Sequence, residues 1–428
     1  MDRLLSETVP PIRSVPHPAV GQPPRILFYS HDSFGLGHIR RTLAIAGELG
    51  RARPEAAMLV LTGSLETHAY DLPPNFDYVK LPAVTKDGNG AYTSRTLPIP
   101  FAHTWSLRER IIRESADAFR PDTVVVDHAP AGMRGELVQT LRTLRDRHPR
   151  VRLVLGLRDI VDEPSAVRAA WLKDGVYQLL DDVYDRILVY GSRHVFDPIA
   201  EYGFSRLAAA KTSFCGYICK QEPIAPPEEI RTQVGAGSRP LVVLTVGGGS
   251  DGGALLRTYL AGLASRRPDV AVCVVTGPLL DETERARITA TAAKLRHVTV
   301  LPSASNLVSY LNAADVVLTM GGYNTVCEAV SLGKRVVIVP RVHPRQEQLI
   351  RARRFARLGL VTMVHPDGLT PGRLQDAVRD SLTAAPPAPR LDFDGLRRAG
   401  DVLAELLTPP VPVFAANGWA GERAWADD

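Results

Sequence analysis

The stretch DVVLTMGGYNTVCEAVSLGKRVVIV (residues 315–339) decides how this chain is read. It opens on a short apolar run rich in valine, stops at two glycines, continues as an amphipathic segment and returns to a second apolar run. Runs this short and this β-branched read as strands buried on both faces. The segment between them carries apolar residues at helical spacing, so the unit is strand, helix, strand, and the two strands lie parallel.

The same alternation extends in both directions. Ahead of it stand 241–246 (LVVLTV), 270–275 (VAVCVV) and 298–301 (VTVL). Earlier still, strands are expected at 25–30, 57–61, 123–126, 151–156 and 186–190, with helical patterns at 39–49 and 134–147. The pattern pauses at 216–240, rich in proline, glycine and charge. The expected organisation is two Rossmann-like, doubly wound parallel-sheet α/β domains, at 25–218 and 241–383, joined by a linker at 219–240. A proline-rich extension (1–24), a linker and C-terminal helix (384–408) and a loose tail (409–428) complete it.

The 428 residues suffice for two cores. No apolar run approaches the roughly 18–20 residues of a membrane helix, and the start lacks a signal-like apolar segment, so a cytoplasmic protein is expected. A net charge of +5 does not by itself point to nucleic acid, and none is expected as a partner. Much of the excess lies in RQEQLIRARRFARLG (345–359), read as a solvated helix face or, alternatively, as a basic surface toward an anionic acceptor or a bilayer. Of the four cysteines, Cys273 and Cys327 read as small core residues, and Cys215 and Cys219 lack metal-site spacing.

In open parallel sheets ligands bind beyond the carboxyl ends of the strands, and three turns there are unusual. SHDSFGLGHIRRTLAIA (30–46) passes through Gly35 and Gly37 into a helix with His38 near its start, where the local dipole favours a neutral imidazole. His38 is read either as a base or as a turn-closing residue. TVGGGSDGGALL (245–256) holds five glycines, and its Gly248, Gly249, Ser250 and Asp251 are candidates for a phosphate cradle. Neither turn matches a complete dinucleotide fingerprint or a Walker A loop. In the third, Gly321 and Gly322 precede a helix expected to begin near Asn324 or Thr325. Glu328 then completes a Thr-x-x-Glu capping box, or accepts the vicinal hydroxyls of a ribose. Past the next strand, Arg341, His343 and Arg345 fall in a loop before a helix whose first turn would hold Pro344. Gln346 and Gln348 suit the reading of sugar hydroxyls.

These motifs resemble those of MurG-like enzymes, glycosyltransferase family 28, and the tandem halves resemble a GT-B glycosyltransferase, over most of 25–365. Gly35–His38, GGGSDGG and GGYNTVCEAVSLGKRVVIVPRVHPRQEQ carry the resemblance. It implies a nucleotide-sugar donor, usually UDP-linked, with Glu328 on the ribose. Gly321, Gly322, Asn324, Thr325 and Ser250 would face the diphosphate, Gln346 and Gln348 the sugar, and His38 the reacting centre. The early loop departs from the family in having Gly35-Leu36-Gly37. VVVDHAPAGMRGEL (124–137) and GLRDIVDEPSAVRAAW (156–171) do not match the family's lipid-linked peptidoglycan enzyme and look closer to a little-described bacterial branch of predicted glycosyltransferases. Acceptor recognition is expected in that N-terminal half. An inverting, metal-independent transfer to an acceptor of open identity follows, with His38 as base and Asp127, His128, His31 and Asp32 as its rivals. Asp392-x-Asp394 follows no strand end and is not read as a metal motif. A non-hydrolysing UDP-sugar epimerase and a non-catalytic nucleotide-sugar-binding protein remain alternatives.

Overall fold

The computed structural model describes residues 23–31, 37–65, 67, 72–86, 91–219, 223–249, 251–388 and 391–407. The proline-rich start up to residue 22 and the tail from 408 onward lie outside them. Strands form where the short apolar runs stand: β1 (Arg25–Ser30), β2 (Ala57–Thr62), β3 (Phe76–Lys80), β4 (Val84–Lys86), β5 (Tyr92–Ser94), β6 (Thr123–Asp127), β7 (Arg152–Arg158), β8 (Arg186–Tyr190) and β9 (Thr212–Phe214) in the first half. The second half holds β10 (Leu241–Thr245), β11 (Ala271–Val275), β12 (Val298–Leu301), β13 (Val316–Thr319), β14 (Arg335–Ile338) and β15 (Thr362–Met363).

Seven strands form one parallel sheet in the order β3-β2-β1-β6-β7-β8-β9, and six form a second in the order β12-β11-β10-β13-β14-β15. β4 and β5 make a separate antiparallel hairpin. The central strands β6, β10 and β11 are buried along their whole length, as sheets covered on both faces require. In each sheet the chain leaves its first strand toward one side and later returns on the other. The reversal falls between β1 and β6, where Ser30 pairs with Asp127, and between β10 and β13, where Thr245 pairs with Thr319. Crevices open at such reversals.

Several boundaries differ from the expectations. The segment read as a linker contains a helix, Pro227–Gln233, with Ile230 buried. The helix expected over 134–147 begins at Val138, after a short turn at Met133–Gly135 in which Arg134 is left-handed. The final helix, Gly395–Leu406, returns to the first half: Gly400 abuts Glu48 on the helix Gly37–Ala52, and Arg53 donates to the Ala404 carbonyl at 3.2 Å. Among the described residues no helix is long and apolar enough to cross a membrane.

The glycine-rich turn after β10 is shaped first by packing. Gly249 has φ +95°, and a Cβ there would stand 2.3 Å from the Thr276 carbonyl oxygen. The Leu279 amide donates to the Gly248 carbonyl at 2.8 Å, tying the two loops together. Gly249→Ala is therefore expected to destabilise the protein by about 1–3 kcal/mol, read as a lowered midpoint of thermal unfolding. An unchanged midpoint would mean that the loops do not pack this way.

Candidate functional site

His38 is the second residue of the helix Gly37–Ala52, which starts just beyond β1. Arg41 lies three residues on, on the same face. Both reach Asp127 at the end of the adjacent β6. His38 Nδ1 is 2.6 Å from Asp127 Oδ2. Arg41 Nε donates to Oδ1 at 2.9 Å and Arg41 Nη2 to Oδ2 at 2.7 Å. Arg41 Nη2 also lies 3.1 Å from His38 Nδ1. An ionised carboxylate only accepts, so in the shorter contact Nδ1 donates its hydrogen to Asp127, Arg41 Nη2 donates to Asp127 Oδ2 and makes no bond to the protonated Nδ1, and Nε2 is left as the accepting nitrogen.

Burial is the largest influence on the His38 imidazole and lowers it to about 4, while the hydrogen bond and charge of Asp127 pull the other way. Burial also works against the Asp127 carboxylate, yet the charge of Arg41 and the bond from His38 hold it below the usual range. His38 is thus a neutral acceptor beside a fixed negative charge. Asp127 and His128 do not form a pair of their own. His128 has φ +66°, is buried, and stands 2.9 Å through Nε2 from Arg158 Nη2. Its ring centroid is 5.0 Å from that of His38, and the His31 centroid is 6.1 Å from it. Of the residues read as rivals for the base, Asp127, His128 and His31 are therefore parts of one cluster, with Asp127 orienting His38. Gly35, Asp32 and Ser250 lie outside the described residues.

In the second half, Gly322 caps the helix Tyr323–Ser331 with no side-chain hydrogen bond. Glu328 is the sixth residue of that helix, too deep for the capping box with Thr325, which is itself buried in the first turn. Structure thus removes the capping alternative. Gly321 has φ +95° and backs onto Ile338, whereas a Cβ on Gly322 would meet nothing within 4 Å. Open space at a helix N-terminus, with amides aimed into it, suits an anion. Glu328 is buried, with Oε1 3.9 Å from Arg40 Nη2 of the first half. Asn324 Nδ2 donates across the same seam to the Gly37 carbonyl at 3.4 Å.

The loop after β14 is more constrained than its sequence implied. Arg341 Nη1 donates to Asp251 Oδ2 at 3.0 Å and Arg341 Nη2 pairs with Glu347, so Arg341 and Asp251 join the two loops. Gln348 accepts the Arg341 amide through Oε1 at 3.0 Å, which fixes its side chain. His343 is exposed. The next helix begins at Glu347 with Gln346 as its cap, leaving Pro344 in the loop. The Gln346 amide donates to Asp162 Oδ1 of the first half at 2.7 Å. Nor is the basic face wholly solvated: Arg351 is completely buried and donates to the Gly321 carbonyl at 3.0 Å. Asp392 and Asp394 pair with Arg398 and Arg397 of the C-terminal helix. Sequence reasoning missed Arg41, Arg158 and Arg351. Only Arg41 left a signal, its spacing from His38.

Two switch-point crevices, one with a buried histidine–aspartate pair and one with an open helix N-terminus, define a GT-B protein. Residues 243–390 match the glycosyltransferase family 28 C-terminal domain. An uncharacterized glycosyltransferase of Methanopyrus kandleri is 30% identical over 197 residues, 45% of this chain and 54% of that one. The UDP-N-acetylglucosamine–N-acetylmuramyl-(pentapeptide) pyrophosphoryl-undecaprenol N-acetylglucosamine transferase of Alkaliphilus metalliredigens is 28% identical over 150 residues, 34% of this chain and 41% of that one. The chain thus spans about half the length of the first relative and less of the second. The glycotransferase of kitacinnamycin superposes with a TM-score of 0.60 at 16% identity, covering 90% of this chain and 100% of that one, a likeness of fold. Residues 243–390 thus carry a glycosyltransferase family 28 C-terminal domain, and the chain is similar to MurG-like transferases over part of its length.

The depressed imidazole makes an acid-lability prediction. An unfolded histidine titrates near 6.5 and the folded His38 at about 4, so on acidification the unfolded chain takes up the proton first. The contribution is fully present above pH ~6.5 and is lost as pH falls toward ~4, an amount of order 3 kcal/mol. Subtracting the stability–pH curve of His38→Gln from that of the wild type should leave this slope. A flat difference would contradict the assigned environment.

Proposed function

We propose that the protein transfers a sugar from a nucleotide-sugar donor, UDP-linked, to an acceptor hydroxyl, with inversion at the anomeric carbon. One observation carries the reading. The His38–Asp127 pair ends one sheet's switch point, the open Gly322 helix terminus with Glu328 behind it ends the other's, and Asn324 joins the two at Gly37.

In this reading the donor lies in the seam. Its ribose hydroxyls bond to the Glu328 carboxylate, and its diphosphate faces the first amides of the helix Tyr323–Ser331. His38 Nε2 takes the proton of the acceptor hydroxyl as its oxygen attacks the anomeric carbon. The bond from that carbon to the diphosphate oxygen breaks, and the nucleoside diphosphate leaves with the electron pair. Asp127, kept ionised by Arg41, stabilises the imidazolium formed. Preorganised amides meet the charge that grows on the leaving group, which allows the reaction to run without a metal. Gln346 and Gln348 stand at the mouth of the same loop, where the donor sugar would extend, with the Gln348 amide nitrogen as the group left to donate.

Three variants test this. His38→Ala should lower turnover by about 10²–10⁴-fold and leave donor affinity near that of the wild type, as measured by nucleoside diphosphate release and by calorimetry. Glu328→Ala should weaken UDP binding with the fold intact. Gly322→Val should abolish UDP binding at a cost in stability of only about 1 kcal/mol, that of a less favourable helix cap, because its side chain enters space that is open in the folded protein. Donor affinity unaffected by both the Glu328 and Gly322 changes would overturn the assignment.

A further inference from the structure

Two buried arginines among the described residues are matched to carboxylates. Arg108 makes two bonds to Glu136, and Arg41 two to Asp127. Two arginines at the seam are not. Arg158, at the end of β7, lies 2.9 Å from His128 Nε2 through Nη2 and 3.4 Å from Nδ1 through Nε; among the described residues, its side-chain hydrogen bonds go to His128 alone. Burial holds His128 neutral, so the pair carries one positive charge that no carboxylate meets by a hydrogen bond, with Glu347 and Asp127 acting on it only through space. Arg351, from the other half, spends Nη1 on the Gly321 carbonyl, while its Nε and Nη2 are buried with no hydrogen-bond partner.

Nearby carboxylates are committed elsewhere. Asp159 accepts from the Tyr217 hydroxyl at 3.0 Å and from the Ile160 amide at 2.8 Å. Glu347 pairs with Arg341. Desolvating a guanidinium without an anion is costly, and a protein that places two such groups at one seam gains from an anion supplied from outside. Their position is specific: Arg158 sits against the imidazole adjacent to His38, and Arg351 backs the glycine turn that precedes Gly322.

We propose that Arg158 and Arg351, one from each half, form a receptor for phosphate oxygens beside His38. This rests on reading the seam as the reaction centre. The phosphate is either the one bearing the donor sugar or one carried by the acceptor, and the shared chemistry is an anionic phosphate group taken by two guanidinium forks.

Calorimetric titration of the full chain with UDP, with uridine, and with inorganic phosphate in the presence of saturating UDP separates the cases, comparing wild type, Arg158→Gln and Arg158→Lys. If the donor supplies the phosphate, Arg158→Gln weakens UDP roughly 10–100-fold and leaves uridine unchanged. If the acceptor does, UDP affinity is kept and inorganic phosphate binding falls by that factor. Arg158→Lys, which keeps the charge but not the fork, should lose less in either case, and it serves should the glutamine variant not fold. Affinities for both UDP and phosphate within about twofold of wild type in the substituted proteins would overturn the proposal. A wild type that binds phosphate through Arg158 but not UDP would instead refute the nucleotide-sugar reading and leave the receptor standing.

Discussion

A carboxylate buried at the edge of a crevice is the constraint on which the site depends. Asp127 is 4% exposed, and burial alone would favour its protonated form, which could not hold the His38 imidazole in one tautomer. Arg41 prevents this with two hydrogen bonds and its charge. The three side chains come from two strand ends that are neighbours only because the sheet reverses direction between β1 and β6. Tertiary topology, local helix spacing and electrostatics thus converge on one nitrogen, His38 Nε2.

The opposite wall follows a different logic. Where the first half uses charged side chains, the second uses backbone: an uncapped helix start, two glycines and a turn braced by Arg341, Asp251 and Glu347. The halves meet through few polar ties. Tyr323 accepts from the Ile218 amide and donates to the Tyr190 carbonyl, both at 3.0 Å. Arg354 pairs with Glu201 at 2.9 Å, and the C-terminal helix straps back across. Among these ties, Arg40 of the first half lies 3.9 Å from Glu328 of the second.

Strand positions were legible in the sequence because β-branched runs buried on both faces have few other uses. His38 was legible because two glycines at a strand end mark a place where backbone must come close to something. The pairing of His38 with Asp127, 89 residues away, was not, since it follows from strand order and no local pattern encodes that. Thr325 and Glu328 imitated a capping box, and only the true helix start at Tyr323 removes it. Arg351 read as one more surface arginine in a basic helix, and the face it shares with Phe355 and Ala352 turned out to be the buried one. The glycines after β10 were read as ligand-facing, and the packing need at Gly249, where two loops touch, left no mark in the sequence.

Where a nucleotide sits on this protein is the most direct measurement. A crystal structure of the protein with UDP bound should place the ribose hydroxyls on Glu328 and the diphosphate over the amides that follow Gly322, with Arg40 moved from the carboxylate. UDP ordered outside the seam, or in the seam with its phosphates turned from that helix end and Glu328 untouched, would contradict it.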